Sequence, residues 1–286
     1  MSSEYLSAKV MSTAFSKAIL NDFLKFGKSR KFDQIIHSIP NLNIENKSNG
    51  DLFDLFYAKM IKEYRNEYIY KNAIANKIVL GRHKYKNISF FTEMSVWGVI
   101  ADIVVANGTT SVYEIKTHYD SFYRLNSQIE VYEKAFENVN IVIPESKLNN
   151  LLKIIPDNIG VIILSENFTL QEYRKPLSNF DNLSNEIMIS LISSKDKKLI
   201  LKKYYDIEFE YNCLEDYSKE KELLLVLNKS IIHAELIQSM HKREYDQQRK
   251  DLVLKSPESL RSLLMSANYS KPMMKSITDL LEQKYN

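Results

Sequence analysis

Residues 101–116 read ADIVVANGTTSVYEIK, two β-rich runs joined across Asn107-Gly108, with an acid in the first run and an acid and a lysine in the second. Val, Ile and Tyr on both sides of an Asn-Gly pair are the pattern of an antiparallel hairpin. Side chains alternate faces along a strand, so Glu114 and Lys116 share one face and Ile115 takes the other. Whether Asp102 joins them depends on the parity of the turn. A two-residue loop, Asn107-Gly108, pairs 106 with 109, sets Asp102 opposite Tyr113 and turns Glu114 away. A three-residue loop, Asn107 to Thr109, pairs 106 with 110 and sets Asp102 opposite Glu114. Three-residue loops with a left-handed Gly are common, and this form is expected here because only an odd loop brings both acids to one face.

Working outward, ISFFTEMSV (88–96) and VIADIVVA (99–106) make, with TSVYEIK (110–116), an antiparallel meander. An amphipathic helix over 121–138 follows, then a buried strand NVNIVIP (138–144), a short helix over 145–154 and another buried strand, NIGVIILSE (158–166). Helical patterns cover 4–27 and 51–80, the latter divisible into two pieces, and IPNLNIENKSNG (39–50) is a loop or boundary. From about residue 171 the chain returns to helix, with a short strand at YDIEFEY (205–211). The expectation is an α/β protein with a mixed central sheet: a helical segment 1–50, a core 51–170 and a mainly helical region 171–286.

Composition narrows the class. With 44% apolar and 26% charged residues the chain reads as an ordinary globular protein, and only 6 Gly and 6 Pro argue against disorder or a many-turned β-sandwich. A net charge of +3 permits a polyanionic partner without requiring one. Cys213 is the sole cysteine, which excludes an intrachain disulfide framework and a cysteine metal site. No run of 18 apolar residues occurs and the first twenty residues lack a continuous apolar core. A soluble cytoplasmic protein with no membrane partner is expected.

Two carboxylates side by side in an apolar sheet repel each other unless a cation lies between them. Oxygen ligands of this kind suit Mg²⁺ or Mn²⁺, which keep waters for a substrate phosphate. Lys116 beside them can stabilise the charge on a phosphate under attack and help orient or deprotonate a water. The following helix adds Gln128 and Tyr132 at i and i+4, hence on one face. Taken singly, Glu-x-Lys reads as a solvated strand face, Gln-x-x-x-Tyr as a half-exposed helix and Asp102 as a strand end. Their joint order carries the signal: Asp102, Glu114 twelve positions on, then Gln128 twelve beyond Lys116.

These residues, ADIVV…YEIK…QIEVY, resemble the PD-(D/E)xK nuclease superfamily with its restriction-endonuclease-like fold, and its subset carrying a Gln-x-x-x-Tyr motif. More narrowly, EYIYKNAIANKIVLGRH followed by TEMSVWGVIADIVVANGTTSVYEIK resembles a small bacterial branch of that superfamily, over about residues 64–165. The resemblance implies Asp102 and Glu114 as ligands of Mg²⁺ or Mn²⁺, Lys116 as the catalytic lysine, and Gln128 and Tyr132 as the accessory motif. It also implies an acid on the preceding helix, for which Glu67 is the candidate and Glu93 the competitor. Ala101 stands where the motif has its proline.

The basic connector GRHKYKN (81–87) offers Arg82, His83, Lys84 and Lys86, with Lys77 before it, as phosphate contacts or as a solvated loop. Arg124, one turn before Gln128, is a further candidate for nucleic-acid binding. His118 is a candidate proton shuttle, and Trp97 reads as a packing residue. The function expected is divalent-metal-dependent hydrolysis of nucleic-acid phosphodiesters, DNA first and RNA second. Two alternatives stand beside it. One is a catalytically silent nuclease fold that binds DNA or assembles with a partner. The other is a protein-interaction module carried by the C-terminal helices; among partners, the helical flanks offer surfaces for a protein partner or a homo-oligomer.

Overall fold

The β-branched runs between residues 88 and 116 form the antiparallel end of a six-stranded mixed sheet, seen in a computed structural model that describes residues 2–80, 88–208, 210, 214–244, 247–267 and 269–285. Its strands are β1 (Ser89–Val96), β2 (Val99–Ala106), β3 (Thr110–Ile115), β4 (Asn138–Pro144), β5 (Gly160–Leu164) and β6 (Leu170–Arg174). Spatial order follows chain order. The β1–β2, β2–β3 and β5–β6 pairs are antiparallel, whereas β3–β4 and β4–β5 are parallel. β4 and β5 are buried along almost their whole length, as strands covered on both faces must be, and both are runs of Val and Ile.

Trp97 and Gly98, with φ of 45° and 89°, form the two-residue turn between β1 and β2. Positive φ at both positions gives the turn whose twist matches the strands it joins. β6 corrects the expectation of helix from residue 171. LQEYR is a short, largely exposed edge strand, with too few apolar residues to register as a strand in sequence.

Helices cover both faces. On the N-terminal side are α1 (Ser3–Ser12), α2 (Lys17–Phe26), α3 (Arg30–His37), α4 (Asn49–Glu63) and α5 (Glu67–Ile74), the last running into a π-helical turn, Ala75–Leu80. α6 (Leu125–Ala135) links β3 to β4, and α7 (Leu148–Leu151) lies between β4 and β5. The C-terminal helices are α8 (Asn185–Leu191), α9 (Ser194–Tyr205), α10 (Leu214–Leu225), α11 (Lys229–Glu244), α12 (Gln247–Lys255), α13 (Arg261–Met265) and α14 (Lys271–Glu282). One core joins Phe32, Phe53 and Tyr70 to Ile103, Tyr113 and Ile115 of the sheet and to Val253, Leu264 and Ile277. The other joins Ile129 and Tyr132 to Val104, Val112 and Ile141 and to Met188, Leu201 and Leu236.

The segments 1–50, 51–170 and 171–286 therefore share cores with one another. Their ends also meet: Asn49 Nδ2 donates to the Leu280 carbonyl at 2.9 Å, and Ser48 bridges Lys284. The helix expected over 4–27 is two helices, because hydroxyls divert the backbone between them. Thr13 Oγ1 donates back to the Val10 carbonyl at 2.7 Å, and Ser16 caps α2. The helix expected over 121–138 begins only at Leu125, and no strand forms at 206–208 or 210, where Asp206 closes α9 in the left-handed conformation. Among the described residues no helix is long and apolar enough to cross a membrane.

Candidate functional site

The turn between β2 and β3 has three residues. Ala106 pairs with Thr110, Val104 with Val112 and Ile103 with Tyr113, so one further step sets Asp102 across from Glu114. Gly108 takes φ 71°, and the Asn107 N–H donates to the Thr109 carbonyl at 2.9 Å. The odd loop thus brings the acids near enough for the Glu114 charge to act on Asp102. Beyond Tyr113 a side chain replaces the backbone partner: the Ile115 N–H donates to Asp102 Oδ2 at 2.7 Å. β3 continues to pair on its other edge, where the Lys116 N–H donates to the Val142 carbonyl at 2.9 Å.

Glu114 is only 2% exposed and both of its oxygens are engaged. Oε1 receives Lys116 Nζ at 2.6 Å and Gln128 Nε2 at 2.7 Å, while Oε2 receives the Tyr132 hydroxyl at 2.7 Å. Lys116 Nζ also donates to Gln128 Oε1 at 3.0 Å, which closes a ring of three side chains. The apolar stripe of α6, Leu125, Ile129, Tyr132 and Ala135, explains the placement. Burying that stripe turns Gln128 and Tyr132, one turn apart, toward β3. Burial first, and then the Glu114 charge, push the Tyr132 hydroxyl far above its ordinary value, so it serves as a neutral donor.

Asp102 has a different environment. Burial, then the charges of Glu114 and Glu67, push its carboxyl up to about 7, against the Ile115 N–H and the Lys71 ammonium, which act the other way. Lys71 carries no role in the sequence reading, yet it is 8% exposed and ion-paired with Glu67 and, at 3.2 Å, with Glu93. Burial disfavours its charge, but Glu67, Asp102 and Glu93 together outweigh burial and hold it above the usual lysine range. A signal for it existed: Lys71 is a charge within the largely apolar run IYKNAIA and lies one turn from Glu67.

Glu93 sits level with Asp102 between the pairs Thr92–Ile103 and Met94–Ala101, in the left-handed region at φ 55°. There the alternation of the sheet is reset. Ala101 belongs to one core and Ile103, two residues on, to the other.

The remaining candidates scatter. Arg82, Lys84 and Lys86, with His83, lie outside the described residues. Arg124 is exposed just before α6, its carbonyl accepting the Gln128 N–H at 3.1 Å. Lys77 lies over the Phe168 ring and donates to the Phe168 carbonyl, so packing accounts for it. His118 Nδ1 is 3.3 Å from Ser146 Oγ, and burial, then Lys147 and Arg65, lower its pKa. Trp97 is 53% exposed, which corrects its reading as a packing residue. The turn places it beyond the last strand pair, Val96–Val99, where no layer opposes it.

Among the described residues no group of three or more His, Cys, Asp and Glu is arranged to hold a metal ion. What the site offers is two carboxylates, Asp102 and Glu114. That set fits Mg²⁺ or Mn²⁺ in kind, since such ions are commonly held by one or two carboxylates and water.

Fold and site together define an α/β protein whose mixed sheet carries two facing acids, Glu114 bound by lysine, glutamine and tyrosine and Asp102 by a backbone N–H. The family described as Bacteriophage P4 protein cII matches residues 60–267, a stretch that includes every residue from Glu67 to Tyr132 and the helices through α13, and the chain belongs to that family. Protein cII of Enterobacteria phage P4 is 25% identical over 176 residues, covering 55% of this chain and 67% of the phage protein. Among solved structures, the SPO1766 protein of unknown function from Silicibacter pomeroyi matches 35% of this chain and 67% of its own at 14% identity, with a TM-score of 0.28, too low to bear on the fold.

Proposed function

We propose that the chain is a divalent-metal-dependent phosphodiesterase acting on nucleic acid, DNA first, built on a restriction-endonuclease-like core of the PD-(D/E)xK kind. The observation that carries this reading is the enclosure of Glu114 by Lys116, Gln128 and Tyr132 with Asp102 across the odd turn. A sheet builds such a polar cluster in its interior at considerable cost, and clusters of this kind gather at functional sites.

Asp102 and Glu114 would hold Mg²⁺ or Mn²⁺. When bound, such an ion supplies positive charge to a phosphate oxygen and acidifies a water. Lys116, on the same strand face as Glu114, keeps its ammonium at the carboxylate and presents positive charge where a phosphate gains negative charge during attack. Gln128 holds both members of that pair, its amide NH₂ on Glu114 and its carbonyl on Lys116. Tyr132 fixes the second carboxylate oxygen from the buried side. Glu67, exposed at the start of α5, acts on Asp102 through its charge. Arg124, at the exposed end of α6, would contact the phosphate backbone.

The test is cleavage of linear, circular, branched and single-stranded DNA, and of RNA, in Mg²⁺ or Mn²⁺. Wild-type protein should cut at least one of these. Lys116→Ala should be slower by about 10²–10³-fold, the usual cost of removing one charge-stabilising donor. Equal rates for the two proteins would remove Lys116, and with it this mechanism.

One observation favours a second reading, a nuclease fold that binds DNA without cutting it. Both Glu114 oxygens are already engaged within the protein. On that reading DNA binds with a steep salt dependence, and neither Mg²⁺ nor Mn²⁺ yields any product.

A further inference from the structure

The Asp102 end of the cluster is neutralised by the chain itself. Lys71 stands one turn beyond Glu67 on α5, and its ammonium reaches Glu67 and, at 3.2 Å, Glu93 Oε1. Glu93 occupies the left-handed region at φ 55° in the middle of β1. That conformation is unfavourable for a residue with a side chain and persists only where the surroundings hold it. From there the Glu93 carboxylate reaches the buried Lys71 ammonium. Carboxylates from α5, β1 and β2 thus gather round one ammonium that is 8% exposed.

Access does not protect this cluster. A cleft of about 390 Å³, lined by Glu67, Lys71, Thr92 and Glu93 among others, opens onto it. Phosphodiesterases that use two metal ions place them about 3.5–4 Å apart and give each its own oxygen ligands. On the Asp102 side of the cluster the described residues include two further carboxylates, Glu67 and Glu93, and Lys71 holds an oxygen of each.

We propose that the Lys71 ammonium is a built-in counter-cation standing in the place of a second metal ion, so that the site takes one divalent cation, at Asp102 and Glu114. This rests on the reading of that pair as a cation site. Lys71 is then a positioning residue. Its charge balances Glu67 and Glu93, keeps them from serving as ligands, and confines metal to the side of the cluster that Lys116 faces.

Calorimetric titration of the full chain with Mn²⁺, at mildly alkaline pH, tests it without recourse to activity. Wild-type protein should take one equivalent, Lys71→Arg also one, and Lys71→Gln two. Two equivalents in wild type or in Lys71→Arg overturn the inference and leave the cation site standing, as does a single equivalent in Lys71→Gln whose circular dichroism matches wild type. No binding to wild type removes the cation site itself, and the inference with it. Should Lys71→Gln fail to fold, Lys71→Met takes its place, with two equivalents expected and one equivalent overturning the inference.

Discussion

Glu114 and Asp102 face each other across one pair of strands, yet the first is surrounded by donors and the second by other carboxylates. Glu114 lies almost wholly inside the protein with both oxygens bonded, so its charge is part of what holds β3 to α6. Asp102 has one backbone N–H on one oxygen and shares its field with Glu114 and Glu67, so its charge is resisted by the fold. A buried carboxylate with an ammonium and two donors is stable by itself; one facing like charges gains from a cation. The difference assigns structure to one member of the pair and responsiveness to the other.

The largest effect that could break this contrast is the loss of Glu114. Glu114→Ala leaves the Lys116 ammonium, 12% exposed, without its carboxylate and strips Gln128 and Tyr132 of an acceptor. Breaking a buried pair in this way costs about 3–5 kcal/mol, measurable by urea denaturation. Tyr132→Phe removes one hydrogen bond to a charged oxygen and should cost about 1.5–3 kcal/mol by the same method. A negligible loss in both variants would show that the enclosure of Glu114 contributes nothing to the fold.

Asp102 should behave the opposite way, in a pH-dependent manner. Its folded value, about 7, lies above the ordinary 3.8. The folded state therefore holds the proton more tightly, and the stability this contributes is complete below the ordinary value and lost as pH rises through the folded one. With EDTA present, wild-type stability should fall between about pH 4 and pH 7 from this group. Asp102→Asn should lack that fall and be the more stable protein above it. Thermal melts across the range decide, and a stability that rises for wild type relative to Asp102→Asn over the same window contradicts the assignment.

The same contrast divides what the sequence made legible. The Glu114 half could be read because it uses regular periods: two along a strand, 3.6 along a helix, and an odd turn at Asn107-Gly108. Parity placed Asp102, and i,i+4 spacing placed Gln128 and Tyr132. The Lys71 half could not be read in the same way, because it depends on a break in period. No residue type announces that Glu93 will take a left-handed backbone in mid-strand, where the sheet resets its faces between Ala101 and Ile103. The break between α1 and α2 and the polar edge strand β6 escaped for related reasons, since local hydroxyl bonds and edge exposure leave weak traces in apolar pattern. The helical flanks were visible as helices, but their sharing of cores with the sheet arises from contacts far apart in sequence.

The central claim is that Asp102 and Glu114 form one cation site. Its most direct test is Mn²⁺-induced broadening of backbone amide signals in isotope-labelled protein. Substoichiometric Mn²⁺ should broaden the amides of Asp102, Glu114 and Ile115 first, and Glu114→Gln should abolish the effect. Broadening centred on any other part of the fold, or persisting unchanged in Glu114→Gln, would contradict the account.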